Sequence, residues 1–285
     1  MELWLNVTLV EIEELVPMAR AAEESGFTGM TMGDHLVFPK KITSPYPYSA
    51  EGGAKWRPSG HWPDVWVAIA AMATATTTLR FTPGVYIAPL RDPFSLAKSL
   101  STVARLSGDR VIAGLGAGWM KEEFDVMGTA FEARGARMDE MIEVMRLLWT
   151  GEMVEFHGRF YDFSENQMGP APLTPIPIYI GGHSGPALRR AIRNDGWIGV
   201  HHKFEETAAL IAKLRELQSD APDQPGRPIM MAAGGLSADD VARFAELGAD
   251  AVVLSARTLE AEPGPQGRLD AIRRAGEDLC KGRSV

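Results

Sequence analysis

Four short stretches of this chain carry residue types that can do chemistry. In "TGMTMGDH" (28–35) an apolar run ends on Asp34-His35. A histidine there can donate a hydrogen bond or exchange a proton near neutral pH, and Asp34 can fix its orientation. The same pair also suits a buried structural role, bonded to loop backbone. In "IGGHSGPALRR" (180–190), Gly181, Gly182 and His183 precede Ser184, a good helix cap. Main-chain N–H groups at a helix start attract phosphate; an ordinary strand-to-helix turn reads the same way. In "TPGVY" (82–86), Gly84 inside a strand marks a bulge or a close approach.

"RVIAGLGAGW" (110–119) is the fourth. Gly114, Gly116 and Gly118 follow a short apolar run, as in a phosphate-binding turn. A dinucleotide fingerprint requires Gly-x-Gly-x-x-Gly opening a helix, with an acid about 20 residues on. The spacing here is Gly-x-Gly-x-Gly, and no helix-start signal follows Trp119 and Met120. Two readings remain: glycines that let a strand end pack tightly, and a backbone that comes close to a flat ligand.

These stretches need a frame that sets them side by side. Strand-like runs fall at 3–7, 28–35, 79–87, 109–118, 176–182, 196–200, 227–235 and 249–256. Helical patterns lie between them, at 11–25, 64–76, 93–107, 134–150, 186–193, 205–218, 238–247 and 265–280. In the first helix Ile12, Leu15, Val16, Ala19 and Ala22 share a face. In the fourth, Met138, Met141, Val144, Met145 and Leu148 form a stripe. Alternating short strands and amphipathic helices predict a parallel sheet covered outside. Eight such units in 285 residues predict a closed (β/α)8 TIM barrel, as a single domain over 1–285.

Two insertions break the rhythm. One, after the second strand, spans 36–63 and holds Tyr46, Tyr48, Trp56, His61 and Trp62. Such rings suit the roof of a substrate pocket or a contact with a second subunit. The other, after the fourth strand, spans 152–175, where "EMVEFHGRFYDF" predicts a hairpin turning at His157-Gly158. Beyond the sixth strand, Lys203 after His201 and His202 suits either an anionic ligand or solvent.

Composition narrows the function classes. With 29 basic against 37 acidic residues, the net charge of −8 argues against nucleic acid or an anionic membrane as partner. The one cysteine, Cys280, excludes an internal disulfide and fits a reducing compartment. The N-terminus lacks the basic and apolar regions of a signal peptide, and no window is apolar enough to span a membrane. A cytoplasmic location is expected. No His-x-His pair sits on the first strand, so no metal site is expected.

"GDHLVFP", "RDPFSLAKSLSTVARLSGDRVIAGLGAGWMKEEF", "RGARMDEMIEVMRLLWTG" and "IPIYIGGHSGPALRRAIRNDGWIGV" together resemble the luciferase-like monooxygenase superfamily, over about residues 2–256. Within it, the resemblance is to oxidoreductases that use the deazaflavin coenzyme F420. The resemblance implies hydride transfer between the deazaflavin C5 and a small organic substrate. An FMN-dependent monooxygenase on the same fold is the alternative, and a non-catalytic carrier of the cofactor is another. His35 is then the acid/base or electrostatic group and Asp34 a cofactor contact. A cis peptide at Gly84-Val85 backs the ring, Ala117, Gly118 and Trp119 line its edge, and Gly181, Gly182, His183 and Ser184 hold its phosphate. Tyr46, Trp56 and Trp62 line the substrate pocket. Some F420-dependent members carry an acid at the position of Trp119; an indole exchanges no proton, so that carboxylate is missing here. A homodimer is common in the superfamily and is expected.

Overall fold

The computed structural model describes residues 1–49, 59–200, 204–220, 228–232, 237–259 and 261–280. Trp56, His201, His202 and Lys203 lie outside the described residues.

The chain starts with β1 (Glu2–Asn6), α1 (Leu15–Glu24), β2 (Gly29–Met32), α2 (Val65–Thr74), β3 (Arg80–Pro83) and β4 (Tyr86–Ile87). It continues with α3 (Pro93–Ser107), β5 (Ala113–Gly116), α4 (Lys121–Met127), α5 (Arg134–Leu148) and the hairpin β6 (Met153–His157) and β7 (Asp162–Gln167). Then come β8 (Ile178–Gly181), α6 (Gly185–Ile192), β9 (Gly196–Val200), α7 (Phe204–Ser219), β10 (Ile229–Ala232), α8 (Ala238–Glu246), β11 (Ala251–Ser255) and α9 (Pro265–Cys280).

All strands but the hairpin form one parallel sheet in the order β3-β2-β1-β11-β10-β9-β8-β5-β4. β3 and β4 are the two halves of one stave, interrupted at Gly84-Val85. The nine strands therefore make the eight staves the sequence predicts. The ends of the sheet meet where the Phe81 N–H donates to Arg110 O (2.9 Å) and the Ile112 N–H to Phe81 O (2.8 Å). The result is a TIM-barrel-like cylinder wrapped by helices.

Its interior holds Trp4, Ile112, Tyr179, Ile198 and Met230, all buried. Rings this large fit because glycines face them. A Cβ on Gly29 would lie 2.4 Å from the Trp4 ring, and one on Gly196 2.7 Å from Tyr179. Large and small residues thus alternate across the barrel, as layered packing demands. The outer core lies between staves and helices. There the α5 stripe, Met138 to Leu148, is buried as its spacing predicts.

Helix ends follow local chemistry where a cap is present. Asp92 accepts from the Ser95 N–H at 2.8 Å, Pro93 opens α3, and Gly108 at φ +67° closes it. The first predicted helix differs in detail. Ile12 to Glu14 form a 3-10 turn and α1 begins at Leu15, so Ile12 is exposed while Met18 is buried instead. Helix α4 has no counterpart among the sequence expectations. Met120, at its N-cap, offers no side-chain acceptor. The acceptor comes from the first insertion: Ser44 Oγ receives the Lys121 N–H at 3.0 Å.

The second insertion turns where expected, with the Gly158 N–H donating to Tyr161 O. It follows helix α5 rather than a strand, so it lies on the outer wall. Phe163 meets Phe94 of α3 at 5.1 Å, and Glu140 of α5 accepts from the main-chain N–H groups of Arg159 and Phe160. Among the described residues no helix is long and apolar enough to cross a membrane.

Candidate active site

Parallel staves bring their carboxyl ends to one mouth, and the loops that leave them gather the chemistry there. β2 delivers Asp34 and His35, β4 leads to Arg91, β5 leads to Trp119 and α4, and β8 delivers Gly181 to Ser184.

His35 sits at the centre of this group. Its Nδ1 lies 2.9 Å from Glu123 Oε2, across 88 positions of chain. The Glu123 side chain has no solvent exposure and the His35 side chain only 7%. The other Glu123 oxygen, Oε1, accepts the Leu36 N–H at 2.8 Å and the Val37 N–H at 3.4 Å. An ionised carboxylate only accepts, so it places the ring proton on Nδ1. Trp62 and Trp119 close on the imidazole edge-on, at 4.7 and 6.0 Å between centroids.

Asp34 turns to a different partner. Arg91 Nη1 and Nη2 donate to its two oxygens at 2.6 and 2.8 Å, and the Ile87 N–H donates at 2.9 Å. The guanidinium also lies 4.2 Å from the Tyr86 ring. Through these bonds the Asp34 carboxylate fastens β4 and the turn after it. Burial, against the pull of Arg91, pushes the Tyr86 phenol up to about 12.

The peptide Gly84-Val85 is cis. The Val85 side chain that follows it explains two other glycines. A Cβ on Gly116 would lie 2.4 Å from Val85 Cγ2, and one on Gly181 2.6 Å from Val85 Cγ1. Gly114 is hemmed in by Pro83 O, and Gly118, at φ +84°, by Ile87 and the Phe124 ring. Within the glycine run at 114–118, Val85, Ile87 and Phe124 stand where side chains on Gly116 and Gly118 would lie.

At β8 the turn is built as expected. Gly182 takes φ +114°, Ser184 caps α6 by accepting the Ala187 N–H, and the first turn of α6 carries no acid. His183 Nε2 accepts the Val200 N–H at 3.0 Å, and Trp197 Nε1 donates to Gly182 O at 2.8 Å. These bonds tie the turn to β9.

Rings from the first insertion bridge the two regions. Tyr46 meets Trp119 at 5.1 Å and Tyr48 at 5.4 Å, and Tyr48 meets His183 at 4.9 Å. Burial, with Tyr46 alongside, pushes the Tyr48 phenol up to about 12, so it stays a neutral hydrogen-bonding group. His61, which the sequence groups with these rings, pairs instead with Glu11 at 3.0 Å on the surface. A cavity of about 450 Å3 lies elsewhere, between α8, the end of β11 and α9, lined by Ser237, Leu254, Thr258, Leu259, Arg274 and Asp278. None of the residues singled out from the sequence lines it.

With this geometry in place, the luciferase-like monooxygenase family model matches residues 4–283. The chain belongs to that family. An uncharacterised protein of Mycobacterium tuberculosis (strain ATCC 25618 / H37Rv) is 38% identical over 85% of this chain and 84% of its own length. An F420-dependent glucose-6-phosphate dehydrogenase of Mycolicibacterium gilvum is 31% identical over 74% of this chain and 61% of its own. Three solved structures share the fold. A monooxygenase from Streptomyces bottropensis has a TM-score of 0.80 at 19% identity, covering 98% of this chain and 99% of that one. An F420-dependent secondary alcohol dehydrogenase bound to an F420–acetone adduct scores 0.75 at 16%, covering 98% of each chain. The oxygenating constituent of 3,6-diketocamphane monooxygenase from Pseudomonas putida, with FMN, scores 0.73 at 14%, covering 100% and 99%. The luciferase-like barrel thus has neighbours with either cofactor.

Sequence reasoning missed Glu123, Arg91 and the clasp between Ser44 and α4. The signal for Glu123 was present as "KEEF" after Trp119. It stands four residues past the position where an acid was sought, and only the turn of α4 brings it to His35.

Proposed function

We propose that this luciferase-like protein is an F420-dependent oxidoreductase that moves hydride between the deazaflavin C5 and a small organic substrate. The observation that carries the reading is the buried His35–Glu123 pair at the carboxyl end of β2. F420 is favoured over FMN by the Asp34-His35 pair and by the 31% identity to an F420-dependent dehydrogenase.

The donor set fits a planar ring with an anionic tail. Gly84 and Val85 form a floor, the main chain at Ala117, Gly118 and Trp119 an edge, and Tyr46 and Trp62 a roof. The Gly181–Ser184 turn opens a helix free of acid in its first turn, which suits a phosphate. When bound, the deazaflavin would supply the hydride acceptor or donor; the protein supplies orientation, shielding and a proton. His35, with Nδ1–H directed at Glu123, presents Nε2 as the nitrogen that takes a proton from a substrate hydroxyl or returns one to a developing oxyanion. Asp34 holds the loop of His35 against Arg91.

Titration of the purified protein with F420 and with FMN, followed by fluorescence quenching, tests the assignment. Saturable F420 binding is expected; tight FMN binding with none to F420 would replace it with the flavin monooxygenase reading. His35→Gln should lower kcat by about 10²–10⁴-fold while leaving F420 binding in place. Unchanged turnover would remove His35 from the chemistry.

A further inference from the structure

We infer that Glu123 is a positioning residue that sets the protonation pattern of His35 and anchors the start of the roof loop with the same carboxylate. The inference deepens the reading above and rests on its assignment of His35 as the proton-handling group.

The geometry divides the work between two oxygens. Oε2 faces His35 Nδ1 at 2.9 Å. Oε1 receives the main-chain N–H of Leu36 and Val37, the first residues of the insertion. A fully buried carboxylate pays for desolvation only if its lone pairs are matched, and here each oxygen is matched by a different structural part. Its backbone lies in the first turn of α4, beside Glu122, which accepts the Thr43 N–H (2.6 Å), the Thr43 hydroxyl (2.6 Å) and the Ser44 N–H (3.0 Å) further along the same insertion. The start of the insertion is thereby held on α4 beside the carboxylate that faces Nδ1. A loop displaced from Glu123 would leave a buried charge facing His35 alone. One carboxylate thus serves both the Nδ1 of His35 and the start of the insertion.

Glu123→Gln separates the two tasks. The amide oxygen can still accept from Leu36, while its NH2 group turned to His35 donates and forces the proton onto Nε2. Glu123→Ala removes both. The cofactor-free protein is labelled with 15N-histidine, and its imidazole nitrogens are read by 15N–1H correlation spectra, with His35→Gln giving the assignment. Wild type should show His35 protonated on Nδ1 in its neutral form, and E123Q the opposite tautomer. Amide exchange at Leu36 and Val37 should stay protected in E123Q and rise about tenfold or more in E123A, as expected for loss of a bond to a charged acceptor. With cofactor and substrate, E123Q should lower kcat about a hundredfold with KM for the cofactor little changed.

An E123Q protein whose His35 keeps its proton on Nδ1 would overturn the inference, as would unchanged exchange in E123A. Should E123A not fold, E123D takes its place: one methylene shorter, it reaches one partner only, and a variant that loses neither tautomer nor protection overturns the inference equally. If the spectra behave as expected while wild type turns over no deazaflavin, the cofactor reading fails and the role of Glu123 stands.

Discussion

Asp34 and His35 are adjacent in the chain and take opposite partners. The histidine turns to Glu123 on α4, the aspartate to Arg91 past β4. Glu123 is fully buried and Arg91 half-buried against a buried Asp34, and both are ion pairs or candidate ion pairs whose loss leaves a charge without compensation. Arg91→Ala should therefore destabilise the fold by about 3–5 kcal/mol, measured as a lower urea midpoint with unchanged slope. A cost below about 1 kcal/mol would mean that Asp34 finds other partners. The type and place of His35 were legible in the sequence because a strand end is a local feature. Its partner was not, because Glu123 is remote and its neighbours give no cap signal.

Helix α4 has only seven residues, too few for stability of its own, and it persists through what it holds. Glu122 fastens the insertion at Thr43 and Ser44. Burial opposes its charge, but the hydroxyl and main-chain N–H of Thr43 outweigh this and bring it down to about 2. Glu23 is the matching element at the other end of the barrel. Burial again opposes, and the N–H groups of Thr78, Leu79 and Thr77, with the Thr78 hydroxyl, bring it to about 2. A carboxylate lowered in the folded state contributes stability that is complete above its ordinary value of 4.5 and is lost as pH falls toward about 2. E122Q and E23Q should each be less stable than wild type at neutral pH, and the gap should close across that window. Denaturant melts at stepped pH would show it. A gap that persists unchanged at pH about 2 would place the effect outside ionisation.

At the scale of the whole molecule the barrel depends on complementary sizes across its axis. Gly29 leaves the space that the Trp4 ring occupies, and a Cβ there would also lie 2.6 Å from Arg80 O. Main chain cannot swing away as a side-chain tip can. Gly29→Ala should cost about 1–3 kcal/mol through overpacking, visible as a lower thermal midpoint with the circular dichroism of the folded state retained. An unchanged midpoint would show that β2 and β3 shift freely. The same reasoning applies to Val85 between Gly116 and Gly181, where three staves meet beneath the mouth.

The eight staves and their covering helices other than α4, the buried methionine stripe of α5 and the hairpin at His157-Gly158 were all determined by the sequence alone. Each follows from periodicity or turn chemistry within a dozen residues, which the chain writes locally. Tertiary structure decided the rest. Closure of the sheet between Phe81 and Ile112 brings Glu123 toward His35, and the pairing of β2 with β3 brings Arg91 to Asp34, contacts that no local pattern encodes. It also decided what packs against the glycines. A residue without a side chain leaves no record of what fills its place, and only the packed barrel shows that Val85, Ile87 and Phe124 do.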